Sequence, residues 1–242
     1  MSRKSIRAYD LPERVAAYDT DMELMHPNRS KMVQVALEVL PFHSDARLRA
    51  LDLGVGTGYF AERFLEAFPQ SSVHALDGAR TMIDLAKARL GSRGKSVDFR
   101  VGDMRDLREH FAHVESFDVV YSSYALHHLT LDEKMSVVRA AVSLLRPGGW
   151  FVNADIVVAD TSGVEKRIQE IRVNGIVERA RGADPRFADY EATRRFLDEL
   201  EANEGDQPLT LKDDLQVLRE AGLGDVAVYW LEYREAVTGG RK

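Results

Sequence analysis

Three glycines stand at every second position in "LDLGVGTGYF": Gly54, Gly56 and Gly58, behind an apolar run with one acid, Asp52. A tight turn of this kind, from strand into helix, lets a ligand lie against bare backbone, and the helix start adds free N–H groups. The dinucleotide fingerprint G-x-G-x-x-G fails here, because Tyr59 holds its last glycine position. The phosphate loop fails as well, since no Lys-Ser or Lys-Thr pair follows. Asp77, in "HALDGA", sits at the end of the next apolar run, where a carboxylate can accept both hydroxyls of a ribose. Asp103, in "VGDM", can accept from an adenine amino group with Met104 packed on the ring. Asp103 also reads as the N-cap of a short helix, and the two roles are compatible.

A second group follows the fourth apolar run, in "YALHHL". Histidine titrates near neutrality and suits proton transfer. His127 is a candidate for lining the site and for acting as a base, whereas His128 is read as packing. Tyr124 and Asp155 are further candidates on the acceptor side. No metal is expected: adjacent His side chains diverge, and no third ligand is apparent.

Strand–helix alternation must position these residues. Strands are expected at Arg49 to Leu53, Ser72 to Leu76, Val97 to Val101, Phe117 to Ser123 and Trp150 to Asp155. Helices are expected at Gly58 to Phe68, Ala79 to Leu90, Met104 to Phe111 and Leu131 to Leu145, the last stopped by a turn at "RPGG". This is the pattern of a parallel sheet covered on both faces. Ser162 to Asn203 is then charged and helical in period, and its Arg167, Arg172 and Asn174 are expected on a solvated face, with an inward reach towards the acceptor as the alternative. A helix over Leu209 to Ala221 precedes two short strands, Val226 to Leu231 and Arg234 to Thr238, whose close spacing predicts an antiparallel hairpin. The expected division is an N-terminal arm or lid (1–30), a core (31–160), a helical insertion over the acceptor (161–208), and a closing helix and hairpin (209–242).

The 242-residue chain has no cysteine, which excludes disulfides, thiol nucleophiles and thiolate metal sites. Its net charge of −6 weighs against nucleic acid and favours a small-molecule partner. No apolar run is long enough to span a membrane, and no signal core follows the N-terminus, so the cytoplasm is the default expectation. A homodimer is left open.

Taken in order, "LDLGVGTGYF", "ALDGAR", "VGDM", "FDVVYSSYALHHL" and "LLRPGGWFVNAD" resemble the class I, S-adenosylmethionine-dependent methyltransferases over roughly Ala50 to Asp155. The later helices and the closing stretch are similar to small bacterial methyltransferases of the UbiE-like group. The resemblance implies an α/β, Rossmann-like, seven-stranded and mostly parallel sheet with a reversed last strand. It also implies S-adenosylmethionine as cofactor, with S-adenosylhomocysteine as product. On that basis Gly54, Gly56 and Gly58 face the methionine part, Asp52 holds its amino group or orders the turn, and Asp77 takes the ribose. Gly78 and Met82 lie near the adenine, Asp103 and Met104 bind it, Ser122 and Ser123 meet the methionine end, and Tyr18 closes over the cofactor. The expected reaction is methyl transfer to O, N or C of a small molecule, chiefly by proximity. Methylation of a tRNA base or a protein, or cofactor binding without catalysis, are the alternatives.

Overall fold

A computed structural model describes residues 3–114 and 116–242, so the first two residues of the expected N-terminal arm lie outside the described residues. Four helices come first: α1 (Lys4–Tyr9), α2 (Pro12–Val15), α3 (Tyr18–Met25) and α4 (Arg29–Glu38). Strands and helices then alternate: β1 (Arg49–Leu53), α5 (Tyr59–Ala67), β2 (Ser72–Asp77), α6 (Arg80–Leu90), β3 (Val97–Val101), α7 (Leu107–His110), β4 (Phe117–Ser123), α8 (Leu131–Leu144) and β5 (Leu145–Ile156). Two long helices follow, α9 (Ser162–Ala180) and α10 (Tyr190–Glu204), then α11 (Leu211–Glu220), β6 (Gly224–Glu232) and β7 (Glu235–Arg241).

The seven strands form one sheet in the order β3-β2-β1-β4-β5-β7-β6. β1 to β5 pair in parallel, while β7 runs antiparallel to β5 and to β6. This is the Rossmann-like α/β sheet with a reversed last strand. The order reverses beside β1, so β1 and β4 open a crevice at their carboxyl ends. α4, α5 and α6 bury apolar side chains on one face of the sheet, with Met32, Phe64 and Ile83 at its centre. α7, α8 and α11 cover the other face through Leu107, Val138 and Val217. A smaller core of Val173, Ile176, Phe187 and Leu197 joins α9 and α10 to Met25 of α3. These helices lie over the strand ends.

One expectation is corrected. The "RPGG" segment, Arg146 to Gly149, is a bulge inside β5, not a turn before it. Leu145 pairs with Phe117 and Trp150 with Val119, so the residues between loop out of register. The chain end holds the bulge: Gly148 donates to the Lys242 carbonyl at 2.8 Å, and Lys242 donates to the Gly149 carbonyl at 2.9 Å.

Candidate active site

The glycine turn forms as its composition demands. Gly54, Gly56 and Gly58 adopt φ of 79°, 54° and 81°, the left-handed region that a side chain strains. A Cβ on Gly54 would lie 2.5 Å from the Ala125 Cβ, so this backbone passes hard against the loop after β4. The Gly56 N–H donates to Asp77 Oδ2 at 2.9 Å and the Ala79 N–H to Oδ1 at 2.9 Å. Burial pushes the Asp77 carboxyl up to about 6, with the two N–H groups acting against it. Asp52, at the floor, is 1% exposed and its Oδ2 has no hydrogen-bond partner among the described residues. Burial first, then nearby Asp77, raise its pKa well above the usual carboxylate range, against the neighbouring Tyr121 hydroxyl.

These groups line a crevice of about 880 Å³. Its wall includes Tyr18, Asp52, Gly54, Gly56, Asp77, Gly78, Met82, Asp103, Met104, Ser123 and Tyr124. Gly58 caps α5 behind the wall, where a Cβ would press on Ala86 at 3.1 Å. Ser122 does not reach the crevice. Alternation along β4 turns it to the other face, where it is fully buried and donates to the Leu53 carbonyl at 2.7 Å. Asp103 is the N-cap foreseen, accepting from the Arg105 N–H at 3.0 Å, and its carboxylate also pairs with Arg3 at 2.9 Å. The second partner comes from the strap before α1. Ile6 of α1 packs so closely on Gly78 that a Cβ there would meet its Cγ1 at 2.5 Å.

Asp19 of α3 fastens the N-terminal helices over the turn. It accepts from the Thr57 hydroxyl at 3.0 Å and from Arg29 at 2.8 Å, and it pairs with Arg89. Arg29 in turn lies 4.3 Å above the Tyr59 ring. Tyr59, the residue that breaks the dinucleotide fingerprint, is thus part of this clasp.

Beyond the crevice lies an inner chamber of about 430 Å³, roofed by α9 and α10. Tyr9, Tyr18 and Tyr124 line both spaces. His127 lines the chamber, with Nδ1 at 2.6 Å from Asp155 Oδ1 and its backbone N–H donating to Asp155 Oδ2 at 3.0 Å. Burial would lower the His127 pKa, but the carboxylates of Asp155 and Asp206 outweigh it and raise the value above 6.5. The same pairing, against burial, holds Asp155 down at about 2. An imidazole whose Nδ1 is held by a carboxylate turns Nε2 to the opposite side, here 3.7 Å from Asp206 Oδ1. Tyr124 is built differently. Its hydroxyl donates to Glu235 Oε1 at 2.7 Å, and burial followed by the Glu235 charge pushes its pKa well above 10.0. The Tyr124 proton therefore stays on, which suits a wall and not a base.

Three residues were not found in the sequence. Asp206 reaches His128 Nδ1 at 2.9 Å and His127 Nε2 at 3.7 Å, so a third potential ligand does stand beside the histidine pair. Glu204 accepts from the Tyr9 hydroxyl at 2.7 Å and from Arg14 at 2.7 Å, tying α10 to the first two helices. Glu235 orders Tyr124, His26 and Asn28. No spacing signal links these positions to the motifs. Arg172, expected on a solvated face, is instead buried beside the chamber, whereas Arg167 is exposed.

A family model described as a methyltransferase domain matches residues 50–149. Residues 50–149 are thus similar to a methyltransferase domain. An uncharacterized methyltransferase of Anoxybacillus flavithermus is 34% identical over 130 residues, 54% of this chain and 57% of that protein. The chain thus spans little more than half the length of such curated relatives. An O-methyltransferase family protein from Burkholderia thailandensis aligns with a TM-score of 0.67 and 22% identity, over 98% of this chain and 61% of that one. PigF, solved with S-adenosylhomocysteine, aligns at 0.67 and 16%, over 100% of this chain and 62% of that one. These two similarities establish the shared fold. The methyltransferase domain ends just before β5 leaves its bulge, so α9, α10 and the closing hairpin lie outside the matched segment. Among the described residues, no helix is long and apolar enough to cross a membrane.

Proposed function

We propose that the chain transfers a methyl group from S-adenosylmethionine to a small-molecule acceptor, with oxygen the favoured atom. The observation that carries this is the juxtaposition of the glycine-lined crevice with the His127–Asp155 pair across Tyr124. The residues present fit the cofactor: the unpartnered Asp52 Oδ2 suits an ammonium group, and the bare Gly54 and Gly56 backbone suits the amino-acid tail. Asp77 would take the ribose diol, with Gly78, Met82 and Met104 against the adenine and Asp103 at its amino group. Tyr18 and Ser123 line the methionine side. When bound, S-adenosylmethionine supplies an electrophilic methyl group on a sulfonium, a good leaving group. The chain then supplies position: Tyr9, Tyr18 and Tyr124 stand between the two spaces, beneath the roof of α9 and α10. His127 Nε2 takes the hydroxyl proton of the acceptor, and Asp155 holds the resulting imidazolium. The setting would be specialised metabolism, in the cytoplasm, with no nucleic-acid partner.

Thermal melting tests this reading. S-adenosylhomocysteine and S-adenosylmethionine should stabilise the protein and NAD should not. A shift with NAD and none with S-adenosylhomocysteine overturns it.

A further inference from the structure

Three arginines, two of them largely buried, share one acid above the inner chamber. Arg172 of α9 donates to Glu201, Arg234 reaches the same carboxylate only at 3.6 Å, and Arg194 only at 3.7 Å. The Arg172 and Arg234 side chains are 10% and 7% exposed. Arg172 Nε and Arg234 Nε and Nη1 are buried with no hydrogen-bond partner among the described residues. Buried guanidinium N–H groups without acceptors are costly, so an anion within their reach would be held firmly. The backbone makes this arrangement: Tyr233, at φ 53° in the turn between β6 and β7, sends Arg234 inward, and the Arg234 carbonyl accepts from the Val157 N–H at 2.7 Å. Burial and the neighbouring Arg172 charge pull the Arg234 pKa down to about 10, against Glu201, Glu165 and Asp206.

These arginines stand beside an entrance. A groove of about 630 Å³ between α9 and the β6–β7 hairpin is lined by Arg172, Arg234, Arg179 and apolar Met25, Pro27 and Ile171. Met25, His26 and Arg172 line both this groove and the inner chamber. Groove and chamber therefore share a wall, as chamber and crevice do through Tyr9, Tyr18 and Tyr124. Two acids stand at the groove wall, Glu232 and Glu235, and Glu235 is already satisfied by His26 at 3.0 Å, Asn28 at 3.0 Å and Tyr124 at 2.7 Å.

We infer that the acceptor is a carboxylic acid with an apolar body, its carboxylate held by Arg172 and Arg234 while its nucleophilic oxygen points down the chamber to His127. This rests on the methyltransferase reading above. A carboxylate matches the planar fork of a guanidinium and carries a single charge into a largely apolar groove, where a phosphate dianion would lose more hydration.

The test uses the full chain saturated with S-adenosylhomocysteine, with benzoate as probe and melting temperature as readout. Benzoate should raise the melting temperature in a saturable way, benzamide should not, and inorganic phosphate should do less than benzoate. Arg234→Gln should abolish the benzoate response. Arg172→Lys keeps the charge without the fork and should weaken half-saturation about tenfold. Arg146→Gln, at a surface pair with Asp118, should leave it unchanged. No benzoate response in the unaltered protein, or the same response in Arg234→Gln and Arg172→Lys, overturns the proposal, and a larger phosphate response overturns the carboxylate assignment. The S-adenosylhomocysteine response of each sample reports folding. Its absence defeats the methyltransferase reading, whereas its presence with no benzoate effect defeats only this one.

Discussion

Asp77 carries a pH dependence of its own. A ribose diol donates to an ionised carboxylate, so the free protein must shed the Asp77 proton before binding. With that carboxyl at about 6, S-adenosylhomocysteine affinity should hold near neutrality and weaken as the pH falls through this value. The loss should approach roughly tenfold per pH unit below it, measured by titration calorimetry. Stability moves the other way. The folded pKa lies above the unfolded 3.8, so between 3.8 and about 6 the native state binds more protons, and this group's contribution to stability grows as pH falls through that window. Asp77→Ala should abolish most of the affinity; unchanged affinity rejects the ribose role. His127 adds a second rise with pH, in the rate. Its raised pKa keeps Nε2 protonated at low pH, so the rate should climb as pH rises past the ordinary 6.5. His127→Ala should lower kcat by roughly a hundredfold or more. Asp155→Asn should shift the pH profile towards acid, because the carboxylate that raises the imidazole pKa is gone. An unaltered rate in His127→Ala ends the base assignment.

Elements hold these residues through pairs that cross the chain. α8 begins at a capping box, in which Thr130 and Glu133 satisfy each other's backbone N–H groups. α8 is locked to α11 by Lys134 and Asp214, each 2% exposed and ion-paired, while the Thr238 hydroxyl of β7 donates to Asp214 at 3.2 Å. Removing one partner strands a buried charge, so Lys134→Ala should cost about 3–5 kcal/mol in denaturant unfolding. Lys134→Met with Asp214→Leu should recover much of that loss, and a mild effect of Lys134→Ala would show that the pair carries little. The strand–helix alternation of this half was legible because each element shows its own period. The "RPGG" bulge was not: Pro and Gly spell a turn locally, and only pairing with the chain end at Lys242 keeps the segment in the strand.

At the scale of the whole molecule, three neighbouring spaces share walls between the surface groove and the glycine turn, and helices before and after the parallel strands line them. S-adenosylhomocysteine at a hundred times its Kd should stabilise the fold by about 2.7 kcal/mol, read as a rise in melting temperature. The amino-acid sequence by itself determined the crevice wall: Gly54, Gly56, Asp77, Asp103 and Met104 follow strand ends, and parallel strands in sequential helix-covered units bring such ends together. It could not choose Ser123 over Ser122, because the phase of alternation along β4 depends on which face β1 meets. Nor could it place Asp206, Glu235 or Arg172. Those positions are set by how α9, α10 and the β6–β7 hairpin settle over the sheet, and Tyr124 meets Glu235 across 111 residues. Local spacing encodes a strand end and its turn. A contact between distant segments is decided by packing, since no periodicity within either segment records the other.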